Sequence, residues 1–204
     1  MDVFTKVRIE CHKLAIIDRM DLDFIHDMKF NMEDFLTKRF AKKFGKAEEN
    51  AFVNGTGVDM PTGILHDTNG AQVGVTTNTV IYDNVIALYF SVKPEYRTKG
   101  VWMMNDETAY KLRTLKDASG NHIWNHANDT IMGKPVYICN AMPSTGKVIA
   151  FGDFSYYWIV NRMPISVRTL VEQYMLNNKI GYLAHEYLDA KLIRSEAIKV
   201  LELN

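Results

Sequence analysis

Four side chains in this 204-residue sequence are of types that do chemistry and deserve a test as an active centre: Asp153, His122, His126 and Cys139. A cysteine with a nearby base would be a nucleophile, and an aspartate with a complementary group would be a general acid. No base flanks Cys139 in the run Tyr137-Ile138-Cys139-Asn140, so it reads as a small buried hydrophobe. His122 and His126 stand four apart, the spacing of two ligands on one helix face. No glutamate of the zinc-protease pattern lies between them, and the neighbouring Gly120, Asn121, Asn125 and Asn128 argue for a loop. Asp153 follows Gly152 in a pair suited to a tight reversal between strands. Asp21, Asp23 and Asp27 lack the glycine and closing glutamate of a calcium loop and read as a solvated face. The glycines of Asn54-Gly55-Thr56-Gly57 and Met60-Pro61-Thr62-Gly63 resemble a phosphate loop in composition only. Such a loop follows a strand and opens a helix, whereas this one follows an expected helix and runs into Pro61. The residues alone therefore assign no catalytic, cofactor-binding or metal position.

The bulk numbers narrow the class. Lys plus Arg and Asp plus Glu both total 24, so the formal net charge is zero, which disfavours a dedicated nucleic-acid binder but allows a protein that encloses nucleic acid. Hydrophobic residues at 47% and charged residues at 24% are those of an ordinary folded domain. Cys11 and Cys139 form no framework and suit a reducing compartment. The start MDVFTKVRIECHK has no secretory pattern, and no apolar run reaches the length of a membrane span.

The elements that would position these residues follow from periodicity. Val3 to Ile9 alternates as a strand, Leu14 to Ile17 is a second short apolar run, and Leu22, Phe24 and Ile25 carry a brief helix. Asn31 caps the longest helix, over 31–52, whose stripe runs through Met32, Phe35, Leu36, Phe40, Phe44, Ala47 and Ala51. Lys38, Arg39, Lys42, Lys43 and Lys46 crowd its other side, as a solvated face or as an electrostatic contact with a partner subunit or an enclosed phosphate chain. Residues 67–78 read as a polar surface excursion. A helix through Val85 and Leu88 stops before Pro94, Val101–Met104 reads as a strand buried on both faces, and Asn105 caps a further helix carrying Ala109, Leu112 and Leu115. Short strands follow at Gly133–Cys139 and Val148–Phe151, then at Tyr156–Val160, closed by Met163-Pro164. A long hairpin follows through Ile165–Thr169 and Ile180–Ala184, and a last strand is expected over Ala197–Leu201.

Several stretches carry a family resemblance. They are Ala47–Gly57 with Pro61–Leu65, Trp102-Met103-Met104-Asn105, Leu115-Lys116-Asp117 with Gly120, Gly133-Lys134-Pro135-Val136, Phe151-Gly152-Asp153-Phe154 with Tyr156-Tyr157, and Glu196-Ala197-Ile198. In this order, across about residues 3 to 203, they resemble the carboxy-terminal two-thirds of tailed-bacteriophage major capsid proteins, the Hong Kong 97-type shell fold. The resemblance implies an α+β fold with an elongated peripheral domain, residues 1–58 with spine helix 31–52 and return strands 161–188. It also implies a compact axial α/β domain, 59–160, completed by 189–204. It implies a structural subunit and no enzyme, without cofactors, whose partners are copies of itself in hexamers and pentamers around double-stranded DNA held without sequence specificity. Scaffold, protease or portal proteins are further partners of such shells, and no membrane is involved. The place it implies is the virion capsid, assembled in the cytoplasm of a bacterial host.

Family members usually have an amino-terminal arm and an extended loop before the position that matches Val3, and neither is present here. The expectation is therefore a truncated, assembly-deficient form, a monomer or small oligomer that does not close shells. An encapsulin-type bacterial compartment shares the architecture and is one alternative, and a small α/β enzyme built on Asp153, His122, His126 or Cys139 is the other.

Overall fold

The computed structural model describes residues 7–27, 31–116 and 119–204. The chain forms β1 (His12–Asp21), α1 (Leu22–Asp27), α2 (Met32–Asn54), β2 (Gln72–Thr77), α3 (Tyr82–Ser91), α4 (Pro94–Arg97), β3 (Val101–Met104) and α5 (Asp106–Thr114). It continues with β4 (Trp124–Asn125), β5 (Thr130–Ile131), β6 (Lys134–Ile138), β7 (Lys147–Gly152), β8 (Tyr157–Leu170), β9 (Lys179–Leu192) and β10 (Ile198–Leu203). They make two sheets, a three-stranded one in the order β1-β9-β8 and a seven-stranded one in the order β2-β10-β7-β3-β6-β5-β4. This mixture of helices with mostly antiparallel strands is the expected α+β class.

In the small sheet, β9 pairs antiparallel with both neighbours along its length. The first strand expected, Val3–Ile9, begins on residues outside those described, and its described part, Val7–Ile9, is irregular. The neighbouring backbone bonds to side chains instead of a ladder: Glu10 N donates to Asp189 Oδ2 at 2.6 Å, and Lys191 Nζ donates to the Arg8 carbonyl at 2.8 Å. Helix α2 opens as its cap dictates, with Asn31 Oδ1 accepting from Glu33 N at 3.0 Å. It buries Phe40 and Phe44 against Ala184 of β9, with Leu14 and Ile16 of β1 packed around them. The helical spacing of those phenylalanines is thus what fixes α2 on the sheet.

The large sheet is organised by β3. It runs parallel to β6 and antiparallel to β7. Trp102 and Met104 are fully buried, whereas Val101 and Met103 are half-buried, so the strand is less enclosed than its apolar run predicts. Asn105 caps α5 by accepting from Thr108 N at 2.7 Å, and Ala109 and Leu112 face the core while Leu115 ends the helix. Pro94 does more than stop α3, because it occupies the first turn of α4, where its missing donor costs nothing.

Four local expectations give way to tertiary context. Residues 67–78 contain the edge strand β2, parallel to β10; its polar alternation hides it because only one side needs covering. The segment 122–129, read as a loop, contains β4, which forms a two-residue ladder with β5 just beyond it, and its Trp124 is buried. Gly152-Asp153 is no reversal: β7 belongs to the large sheet and β8 to the small one, and a 3-10 turn at Phe154–Tyr156 carries the chain across. Pro164 does not close β8. The strand passes through it because β8 is an edge, with its register shifted between Met163 and Ser166, where a missing donor is tolerated.

Candidate assembly surfaces

The four side chains with chemical potential are not brought together. Asp153 is buried and its carboxylate accepts from Ser155 N at 2.9 Å, capping the 3-10 turn, while its own amide donates to the Ala197 carbonyl at 3.0 Å. His122 and His126 pack edge to face, with ring centroids 5.3 Å apart, on an exposed loop. Cys139 is buried, and its Sγ donates to Glu49 Oε1 at 3.1 Å. Burial, reinforced by that carboxylate, pushes the thiol up to about 11, the opposite of what a nucleophile needs. The cleft of about 490 Å³ beside Thr56, Thr62 and Lys191 is lined by none of the four, and neither is the cleft of about 280 Å³ beside Glu48 and Met60. Among the described residues no three His, Cys, Asp or Glu side chains converge as metal ligands.

The recurring motifs do meet in space. Trp102 of the WMMN run packs against Phe151 of the FGDF run in a tilted pair, ring centroids 4.2 Å apart, and pairs across the ladder with Val136 of the GKPV run. Its indole Nε1 donates to the Ile131 carbonyl at 3.1 Å. Gly152 lies in the ladder opposite both Val101 and Ile198. A Cβ at Gly152, whose φ is +153°, would stand 2.1 Å from the Ala197 carbonyl oxygen. Glu196 joins α4 to the turn before β10, its carboxylate accepting from Lys93 Nζ at 2.6 Å and from Tyr96 OH at 3.0 Å. Burial and that carboxylate push the Tyr96 phenol up to about 12.

The glycine passage after α2 is packed in the same way. Gly63 N donates to the Gly55 carbonyl at 2.8 Å and Gly57 N to the Pro61 carbonyl at 3.3 Å. A Cβ on Gly55 would lie 2.1 Å from the Pro61 oxygen. These amides are spent inside the loop, so it is no phosphate cradle.

What the fold leaves uncovered is apolar surface. Strand β8 exposes Trp158, Ile159, Val160, Met163, Ile165 and Val167, each more than 40% accessible, along the free edge of the small sheet. The turn between β8 and β9 carries Met175, 64% exposed, and Leu176, wholly exposed. A long strand with apolar residues exposed and an unpaired edge is a template for another chain. Alternation in the sequence indicates the strand, but nothing local says that its partner on one side is missing.

The basic face of α2 divides in two. Arg39 and Lys43 turn to Asp18, a buried carboxylate on β1: Arg39 Nη2 donates to Oδ1 at 3.1 Å and Lys43 Nζ lies 3.2 Å from Oδ2. Lys38, Lys42 and Lys46 remain exposed, without an ion pair among the described residues. At i, i+4 and i+8 they form one row along the helix. Asp18 and Glu49, both part of this packing, carry no sequence signal beyond being acidic, since their partners lie 21 and 90 positions away.

Comparison with known proteins gives a consistent answer. A family model described as the phage capsid family matches residues 1–203. The capsid of a native GTA particle, computed with C5 symmetry, superposes with a TM-score of 0.81 at 30% identity, covering 96% of this chain and 73% of that one. The corresponding empty particle gives 0.82 at 30% identity, covering 96% and 74%. A chain from Microbacterium phage Oxtober96 shares the fold, with a TM-score of 0.73 at 16% identity and coverage of 96% and 73%. No curated protein sequence matches.

Proposed function

The chain belongs to the phage capsid family as a self-assembling structural shell subunit, and from that premise we propose how its parts are used. Residues 1–58 and 161–188 form a peripheral domain around α2 and the three-stranded sheet. Residues 59–160 and 189–204 form an axial domain around the seven-stranded sheet, with the ends of β8 and β9, residues 157–160 and 189–192, carrying the small sheet across the boundary. Copies meet in pentamers and hexamers, with the axial domains toward the symmetry axes, in a virion capsid assembled in the host cytoplasm around double-stranded DNA. The row Lys38, Lys42 and Lys46 meets phosphate without reading sequence, which suits a chain whose formal net charge is zero.

The observation that carries this reading is the bare apolar edge of β8. Six exposed large side chains on one edge strand are costly in a solitary chain and useful in one that is covered by its neighbours. Sedimentation of the purified chain across a concentration series tests it. The expected result is concentration-dependent association that weakens roughly tenfold or more when Ile159 and Val167 are both replaced by lysine, with the folded spectrum unchanged. A chain that sediments as a monomer at every concentration, or association indifferent to both lysines, would overturn the reading.

A further inference from the structure

Glu186 lies in β9, the middle strand of the small sheet, and is only 2% exposed. Its Oε1 is buried without a hydrogen-bond partner among the described residues. Leu14 opposes it on β1, and Leu188, two residues on, shares its face of the strand. Leu14 and Leu188 line a cleft of about 280 Å³ whose other wall is α2, through Ala47, Glu48 and Ala51. Glu186 and Glu48 therefore face one another across the seam between helix and sheet. Two carboxyl groups facing one another in a buried seam repel when both are ionised, and they can hydrogen-bond only if one holds a proton.

We propose that the Glu48–Glu186 carboxyl pair is a proton-dependent latch that holds α2 against the three-stranded sheet. The groups around the seam leave the pair without a cation to replace the proton. From α2, Lys43 is engaged by Asp18 on the neighbouring stretch. From β1, His12 leans toward Asp189 at 3.7 Å, and Lys13 is exposed at the cleft's rim. Asp59 lines the cleft from the segment after α2 and adds a further negative charge. β8 offers only Pro164 and Ile165 at this level, the residues skipped by its register shift. Burial first, then the facing Glu48 carboxyl, push the Glu186 carboxyl up to about 8 from its ordinary 4.5.

The direction of the effect follows from where the proton is held. Between about 4.5 and about 8 the closed seam keeps a proton that a solvated Glu186 would release, so raising the pH favours opening throughout that window. Below it both states are protonated, and above it both are ionised, so the dependence flattens at either end. Nothing in this depends on what the helix and sheet are built into.

Amide hydrogen exchange along α2, corrected for the intrinsic pH dependence of exchange, reads the opening equilibrium directly. Between about pH 5 and about pH 8 the opening constant of the amides from Phe40 to Ala51 should rise roughly a hundredfold, within the limit of tenfold per pH unit for one proton. Glu186→Gln keeps the shape and a hydrogen-bonding amide without the titration and should change less than about threefold over the same range. Glu48→Gln removes the facing charge and should shift the upper end of the wild-type dependence to lower pH, which provides the test if the first variant does not fold. A pH-independent wild type, or variants that track it, would overturn the latch.

Discussion

Asp18 on β1 accepts a hydrogen bond from Arg39 of α2 at 3.1 Å, and Lys43, one turn further on, approaches the same carboxylate to 3.2 Å. One buried acid thus takes two of the five cations that the sequence places on that helix. Burial, the largest influence, works against ionisation. The bonds and charges of Arg39 and Lys43 outweigh it and hold the carboxyl below its ordinary 3.8. A lowered pKa contributes stability above the ordinary value and loses it as pH falls through the folded one. Asp18→Asn should cost about 1 to 2 kcal/mol at neutral pH, because both cations keep access to water, and this difference should begin to shrink as pH falls below about 3.8 and vanish only below the lowered folded value. Urea melts at several pH values check it, and a penalty undiminished in acid would contradict it.

Gly152→Ala tests why the FGDF run needs its glycine. The added methyl would sit 2.1 Å from the Ala197 oxygen and 2.7 Å from the Ile198 Cα, both backbone atoms, at a φ of +153°. The ladder between β7 and β10 must move, at a cost of about 3 kcal/mol, which in a chain of this size lowers the melting temperature by roughly 6 to 12 °C. Calorimetry decides, and an unchanged midpoint would mean that the strands part more easily than their packing indicates.

The two cysteines should separate cleanly on alkylation. With its thiol pushed up to about 11, Cys139 presents little thiolate near pH 8 and should react about two orders of magnitude more slowly than an ordinary exposed thiol. Cys11 is only half-buried and should be labelled first. Mass spectrometry of peptides from a timed reaction distinguishes them. Equal rates in the native chain would refute the buried hydrogen bond to Glu49.

The lysine row has a salt signature. Replacing Lys38, Lys42 and Lys46 together by glutamate should abolish low-salt association with double-stranded DNA of any sequence. Replacing one should reduce the slope of log affinity against log salt by about 0.9. Filter binding or fluorescence anisotropy measures both, and a slope that ignores the row would place the phosphate contact elsewhere.

Much of the architecture is legible in the residues because its causes are local. Asn31 and Asn105 cap the helices they should, Phe40 and Phe44 face the sheet their spacing implies, and the alternation of Ile165, Val167 and Thr169 marks a long strand. What escapes has causes far away along the chain. β2 is a strand only because β10, more than a hundred positions later, gives it a ladder. Pro164 looks like a stop and is tolerated only because β8 lies at an edge. The surfaces are harder still, since Trp158 and Ile159 look like core residues until the fold shows nothing packed over them.

Pro164 has a meaning beyond the single chain. An uninterrupted fourteen-residue edge could recruit strand after strand and grow into a fibre without end. Pro164 has no amide proton to offer a neighbouring strand, and the ladder of β8 with β9 shifts register beside it. An edge interrupted in this way is a poorer template for unlimited strand stacking than an unbroken one of the same length.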